Sequence, residues 1–103
     1  MSSRARGGII APMLFMVIER FGGREAAAAV YRRFRERGRL MPEGLKYLGS
    51  WVEPDFGRCF QLVECEDARL VGEWTARWSD LAEFEVVPVV TSQEAADAIA
   101  PLL

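Results

Sequence analysis

The chain has no histidine and only two cysteines among its 103 residues, and those shortages remove most familiar enzyme chemistry. Without an imidazole there is no Ser-His-Asp triad, no Cys-His pair and no histidine-held metal. Cys59 and Cys65 are six positions apart. On an extended strand, at about 3.3 Å per residue, their α-carbons lie roughly 20 Å apart, beyond disulfide reach. Two thiols at that spacing also fail to match the close pairs used by tetrahedral zinc. They are expected to be buried small hydrophobes, unpaired in a reducing compartment. Glycine frameworks are missing too, because neither GxGxxG nor GxxxxGK[ST] occurs, so dinucleotide and phosphate-loop sites lack their scaffold. No cofactor and no metal is expected. Carboxylate, tyrosine, lysine or thiol chemistry is all that remains.

Long apolar runs are also absent. No stretch reaches the ~18 residues that span a bilayer. The opening MSSRARGGIIAPMLFMVI imitates a signal peptide, but Gly7, Gly8 and Pro12 interrupt it, and Glu19 and Arg20 follow without a small-residue cleavage site. The expectation is a cytoplasmic protein with no membrane partner, in which residues 1–12 form a flexible tail and 13–103 a single domain. A net charge of −2 gives no global reason for a nucleic-acid partner. Charge is nonetheless unevenly placed: Arg20 to Arg39 holds seven arginines against Glu25 and Glu36, a net +5, while Glu43 to Leu103 is net −8. Opposite signs at the two ends favour self-association. The arginines lie on several sides of one segment without aromatic partners for base stacking, so nucleic acid is not expected to bind there.

What is present is apolar: half of the residues, with 11% aromatic, enough for one real core. Met13 to Glu19 is an apolar run too short for an ordinary helix and reads as a strand covered on both faces. Glu25 to Arg39 is rich in helix formers, with Ala27, Val30, Tyr31 and Phe34 on one stripe. Leu45 to Glu53 and Arg58 to Glu64 are β-rich around the turn Pro54 to Gly57 and predict a hairpin. Asp67 can cap a second helix carrying Leu70, Trp74, Trp78 and Leu81, with Glu73 and Arg77 paired on its wet side. Phe84 to Val90 is a fourth strand, whose Pro88 assigns it to a sheet edge or a bulge. Thr91 and Glu94 read as a capping box opening a short final helix.

The order βαββαβ plus a terminal helix predicts an α+β, ferredoxin-like fold, with two helices on one face of a four-stranded antiparallel sheet. Strand one is apolar on both sides, Met13, Phe15 and Val17 on one and Leu14, Met16 and Ile18 on the other. The helices can cover only one side, and an exposed apolar sheet of several hundred Å² is rare in a monomer. At about 25 cal/mol per Å², hiding ~600 Å² gives an upper-limit driving force of roughly 15 kcal/mol before association costs. A homodimer through the sheet face is therefore expected, with the terminal helix as a lesser cover.

The stretches MLFMVIERF, RFRERGRLMPEGLKY, SWVE, RCFQLVECED and WSDLAEFEVVPVVTS together resemble the small bacterial family of domains of unknown function DUF3303, over about Met13 to Ala98. The resemblance implies a fold similar to the dimeric α/β-barrel superfamily, which includes cofactor-free monooxygenases. It brings no catalytic residues with it. In that superfamily the cavity lies between sheet and helices or within the barrel, so polar and aromatic strand residues are the candidates. Glu64 and Tyr47 are the acid/base candidates, because burial would raise a strand carboxyl toward the working range. Trp51, Cys59 and Gln61 are candidate ligand contacts. A tight hairpin pairs Trp51 with Phe60 and Tyr47 with Glu64, placing Ser50, Cys59 and Gln61 on the other face; one bulge swaps that assignment. The leading functional expectation is a dimeric protein binding a small apolar molecule. A cofactor-independent monooxygenase or isomerase and a purely structural or protein-interaction module are the alternatives, and the presence and lining of a cavity would separate the three.

Overall fold

The computed structural model describes residues 12–103, so the expected tail, residues 1–12, lies outside the described residues apart from Pro12. The run MLFMVIER extends as β1, Met13–Arg20, and Gly22 and Gly23, with φ of 85° and 119°, turn the chain into the first helix. That helix, α1, spans Arg24–Arg37; it buries Ala27 and Val30, while Tyr31 and Phe34 of the same stripe stay 43% and 38% exposed. The hairpin follows as β2, Lys46–Val52, and β3, Arg58–Cys65. Its turn is tied by Gly57 N donating to Asp55 Oδ1 at 2.8 Å. The remaining elements are α2, Arg69–Ala76, β4, Glu83–Val89, and α3, Ser92–Ile99, which runs into a single 3-10 turn, Ala100–Leu102.

All three strand pairings are antiparallel, in the order β2-β3-β1-β4. This is the ferredoxin-like arrangement, an α+β fold. Strand β4 stands at an edge, where Pro88, lacking an N–H, costs the sheet least. Phe15 and Val17 of β1, Val63 of β3, Val30 of α1 and Val71 and Trp74 of α2 belong to one buried cluster, so both helices lie on the same side of the sheet. On the opposite side, Leu14, Met16, Ile18, Phe60, Leu62, Val87 and Val89 are each only partly buried. Polar groups ring this apolar field, among them the Arg20–Glu85 ion pair at 3.1 Å. The capping box of α3 forms, with Thr91 Oγ1 accepting from Glu94 N at 3.1 Å. Yet no residue from 91 to 103 is buried, so the terminal helix does not supply the expected lesser cover.

Three local expectations are corrected. Helix α2 stops at Ala76, and Trp78 and Leu81 sit in the turns beyond it, tied by Trp78 N to Thr75 O at 3.0 Å and Leu81 N to Trp78 O at 2.9 Å. Glu73 does not pair with Arg77, whose Nη1 donates instead to Leu40 O at 2.7 Å; a carbonyl with no ladder partner outcompetes a solvated carboxylate. The hairpin pairs Trp51 with Phe60, but Leu48 is an extra residue between Tyr47 and Gly49, so Tyr47 faces Val63 and Glu64 faces Lys46. Asp67 does receive the N–H of Arg69, at 3.0 Å, although Ala68 occupies the cap position. Among the described residues no helix is long and apolar enough to cross a membrane.

Candidate functional site

Strand alternation places Glu19 on the same side as Phe15 and Val17, toward the helices, with Cys59 opposite it on β3 and Phe84 opposite it on β4. Only 5% of Glu19 is exposed. Its neighbour one pair along β3 is Gln61, 9% exposed, whose Nε2 donates to Glu19 Oε1 at 3.2 Å. No lysine or arginine forms an ion pair with Glu19 among the described residues. Burial without a compensating cation pushes its carboxyl from 4.5 up to about 7.

The two side chains open onto a cavity of about 100 Å³ between the sheet and α1. Glu19, Gln61 and Cys59 form its buried floor, and Phe21, Val30, Trp74, Trp78 and Phe84 build its apolar walls. Tyr31, Phe34, Arg39, Ser50 and Val52, all exposed, form the mouth. The Leu48 bulge is what brings Tyr47 in, since it restores Tyr47 to the helix-facing side, where Tyr47 Oη donates to Ser50 Oγ. Arg39 lies across the Tyr47 ring, its guanidinium carbon 3.8 Å from the centroid. Burial and the nearby Glu19 push the Cys59 thiol up to about 12, so at neutral pH it is a neutral wall atom and not a nucleophile.

Of the residues predicted from sequence, Tyr47, Cys59 and Gln61 meet in this cavity together with Ser50. Glu64 and Trp51 do not join them: both lie on the open side of the sheet, Glu64 between Leu14 and Lys46, and Trp51 beside Phe60 and 59% exposed. The carboxyl in the cavity is Glu19, which sequence reasoning treated as the charged end of an apolar run. Its signal was parity, for it falls two and four positions after Val17 and Phe15. An uncharged carboxyl beside a primary amide can both donate and accept hydrogen bonds, and can hold or release a proton near neutrality. Among the described residues no cluster of three or more His, Cys, Asp or Glu is arranged to hold a metal.

A family model described as a domain of unknown function, DUF3303, matches residues 13–103. The chain belongs to the DUF3303 family. No curated protein and no solved structure matches it. The DUF3303 match begins with the first residue of β1 and takes in every strand and helix described above, so the whole cavity lies within the domain.

Proposed function

We propose that this DUF3303 domain binds a small, largely apolar molecule in the Glu19 cavity and works as a homodimer paired through its open sheet face, in the manner of dimeric α/β-barrel proteins. One observation carries the binding reading: a buried carboxyl with no cation partner among the described residues opens onto a cavity instead of being packed over. An ionisable group in that setting opposes folding, and such groups concentrate where a ligand or substrate is met. Aromatic walls around a few polar floor atoms are the usual make-up of a small-molecule site. Two thiols left unpaired fit a reducing compartment such as the cytoplasm.

Support for the homodimer comes from the sheet. Its open side has an apolar centre built on Met16, Leu62 and Val87 and a polar rim, the anatomy of a protein interface. Native mass spectrometry of the protein purified from its source tests both halves, with twice the chain mass plus a retained small molecule as the expected result. Leu62→Arg should leave the fold intact, because Leu62 lies outside the buried cluster, and should yield monomers by sedimentation at micromolar concentration. A monomeric parent protein would remove the pairing, and an empty protein that also rejects small apolar probes would remove the binding.

A second reading is favoured by the same carboxyl. A proton held near pH 7 beneath apolar walls suits a general acid or base, so a cofactor-independent monooxygenase or isomerase would use Glu19 for proton transfer and Tyr47 for orientation. On any substrate found, Glu19→Gln should then abolish turnover while leaving affinity within a few-fold; unchanged turnover would exclude this role. A purely structural module is the least supported, since it needs no cavity at this carboxyl.

A further inference from the structure

Helix α1 ends at Gly38, whose N–H donates to Phe34 O at 2.8 Å, and the next two residues are held in an unusual way. Leu40 has a φ of 59°, the left-handed region that is sterically unfavourable for a residue bearing a side chain. Strain of this kind persists only where the surroundings over-determine it. Here they do: Arg39 O accepts from Trp74 Nε1 and from Trp78 Nε1, each at 2.9 Å, and Leu40 O accepts from Arg77 Nη1 at 2.7 Å. Three donors from α2 and the turn after it thus clamp two successive carbonyls.

The clamp fixes where the Arg39 side chain begins, and its guanidinium carbon comes to 3.8 Å from the Tyr47 ring centroid and 4.9 Å from that of Phe34, at the rim of the cavity. Arg20, Arg33, Arg58 and Arg69 each have a carboxylate partner. Arg39 has none among the described residues, and residues 1–11 contain no acidic side chain to offer one. Contact with ring faces uses the charge of the guanidinium and none of its five N–H donors. A cation held at the cavity rim by strained backbone, with its donors unspent, is arranged for a planar oxyanion.

We propose that the molecule bound in the cavity is a small apolar acid, whose carboxylate pairs with Arg39 at the rim and whose uncharged body reaches inward toward Glu19 and Gln61. This rests on the binding reading above and specifies its ligand. The cavity, open at its mouth, has a volume of about 100 Å³, smaller than the ~150 Å³ cavity known to hold benzene, so a ring enters only in part and its charged substituent stays in the mouth, within reach of Arg39. A basic molecule would instead bring its charge beside Arg39 on the way in, which is unfavourable.

The experiment titrates the full chain with benzoate, benzyl alcohol and benzylamine at one ionic strength, following tryptophan fluorescence, because Trp74 and Trp78 line the cavity. Benzoate should bind at least tenfold more tightly than benzyl alcohol, and benzylamine most weakly. Arg39→Met removes the guanidinium but not the carbonyl that the two tryptophans hold, so it should fold, erase the preference for benzoate and leave benzyl alcohol unaffected; Arg39→Lys should retain part of the preference. Equal affinity for benzoate and benzyl alcohol, preference for benzylamine, or a benzoate affinity unchanged in Arg39→Met overturns the acid while the cavity remains a binding site. Failure of all three probes at millimolar concentration overturns the acid together with the binding reading.

Discussion

Replacing Glu19 with glutamine should make the protein more stable at alkaline pH and change little at acidic pH. The carboxyl titrates at about 7 in the fold, against 4.5 when unperturbed. At about 1.36 kcal/mol per unit, that difference corresponds to roughly 3 kcal/mol. A raised value means that the folded state holds the proton more tightly. The stabilisation is therefore complete below pH 4.5, falls as the unfolded chain ionises while the fold keeps its proton, and is gone once pH passes about 7. Glutamine keeps the shape and does not titrate. Urea unfolding of both proteins at equal concentration, followed by tryptophan fluorescence from pH 4.5 to 8.5, isolates this group because every other carboxylate cancels in the difference. The two stabilities should lie close near pH 4.5 and separate with rising pH, until the variant leads by roughly 3 kcal/mol at pH 8, or by ~10 °C or more in Tm for a domain of this size. A gap that is the same at pH 5 and pH 8 would refute the reasoning, showing that Glu19 is reached by water.

Other perturbations read different parts of the fold. Cys59 and Cys65 are 6% and 3% exposed, so a thiol reagent at pH 8 should label neither in the native state and both in urea; rapid native labelling would contradict their burial. Val63, which is 0% exposed in the centre of β3, should cost about 2–3 kcal/mol when cut to alanine, read as a lower urea midpoint with unchanged slope. Thr91→Ala removes a cap worth about 1 kcal/mol, yet α3 buries nothing. Amide exchange across residues 92–99 should therefore quicken by roughly fivefold while the unfolding midpoint stays put, and a lowered midpoint would mean that α3 packs against something.

Much of the fold was legible because its signals are local. The run from Met13, the turn at Pro54 to Gly57 and the Thr91–Glu94 box each specify their own element, and Pro88 narrowed β4 to an edge or a bulge, of which the fold shows the edge. The alternation of β1 pointed to an apolar sheet face that α1 and α2 leave only partly buried among the described residues. The cavity was harder to read because it depends on a count and on a habit. Leu48 adds one residue to β2, and nothing in KYLGSWV marks which residue is spare, so Tyr47 was assigned to the wrong partner. Glu19 was passed over because a charged residue after an apolar run usually marks its exit to water, whereas here the strand continues one residue further and α1 closes over it. Arg39 could not be singled out among seven neighbouring arginines, since its role comes from two indoles some 35 to 39 positions away.

The spare residue at Leu48 has a consequence for how such a domain can change over time. Because Leu48 stands outside the pairing, deleting it would leave Lys46 opposite Glu64 and Tyr47 opposite Val63, whereas drawing it into the ladder would rotate Lys46 and Tyr47 by half a turn relative to β3, sending the phenol outward and an ammonium inward while Ser50, Trp51 and Val52 keep their partners. A slip of one register at this position, with no residue gained or lost, would thus exchange a hydroxyl for a positive charge on the cavity side of β2. Substitutions that decide whether this spare residue is paired are a cheap route by which descendants of one ancestor acquire different appetites.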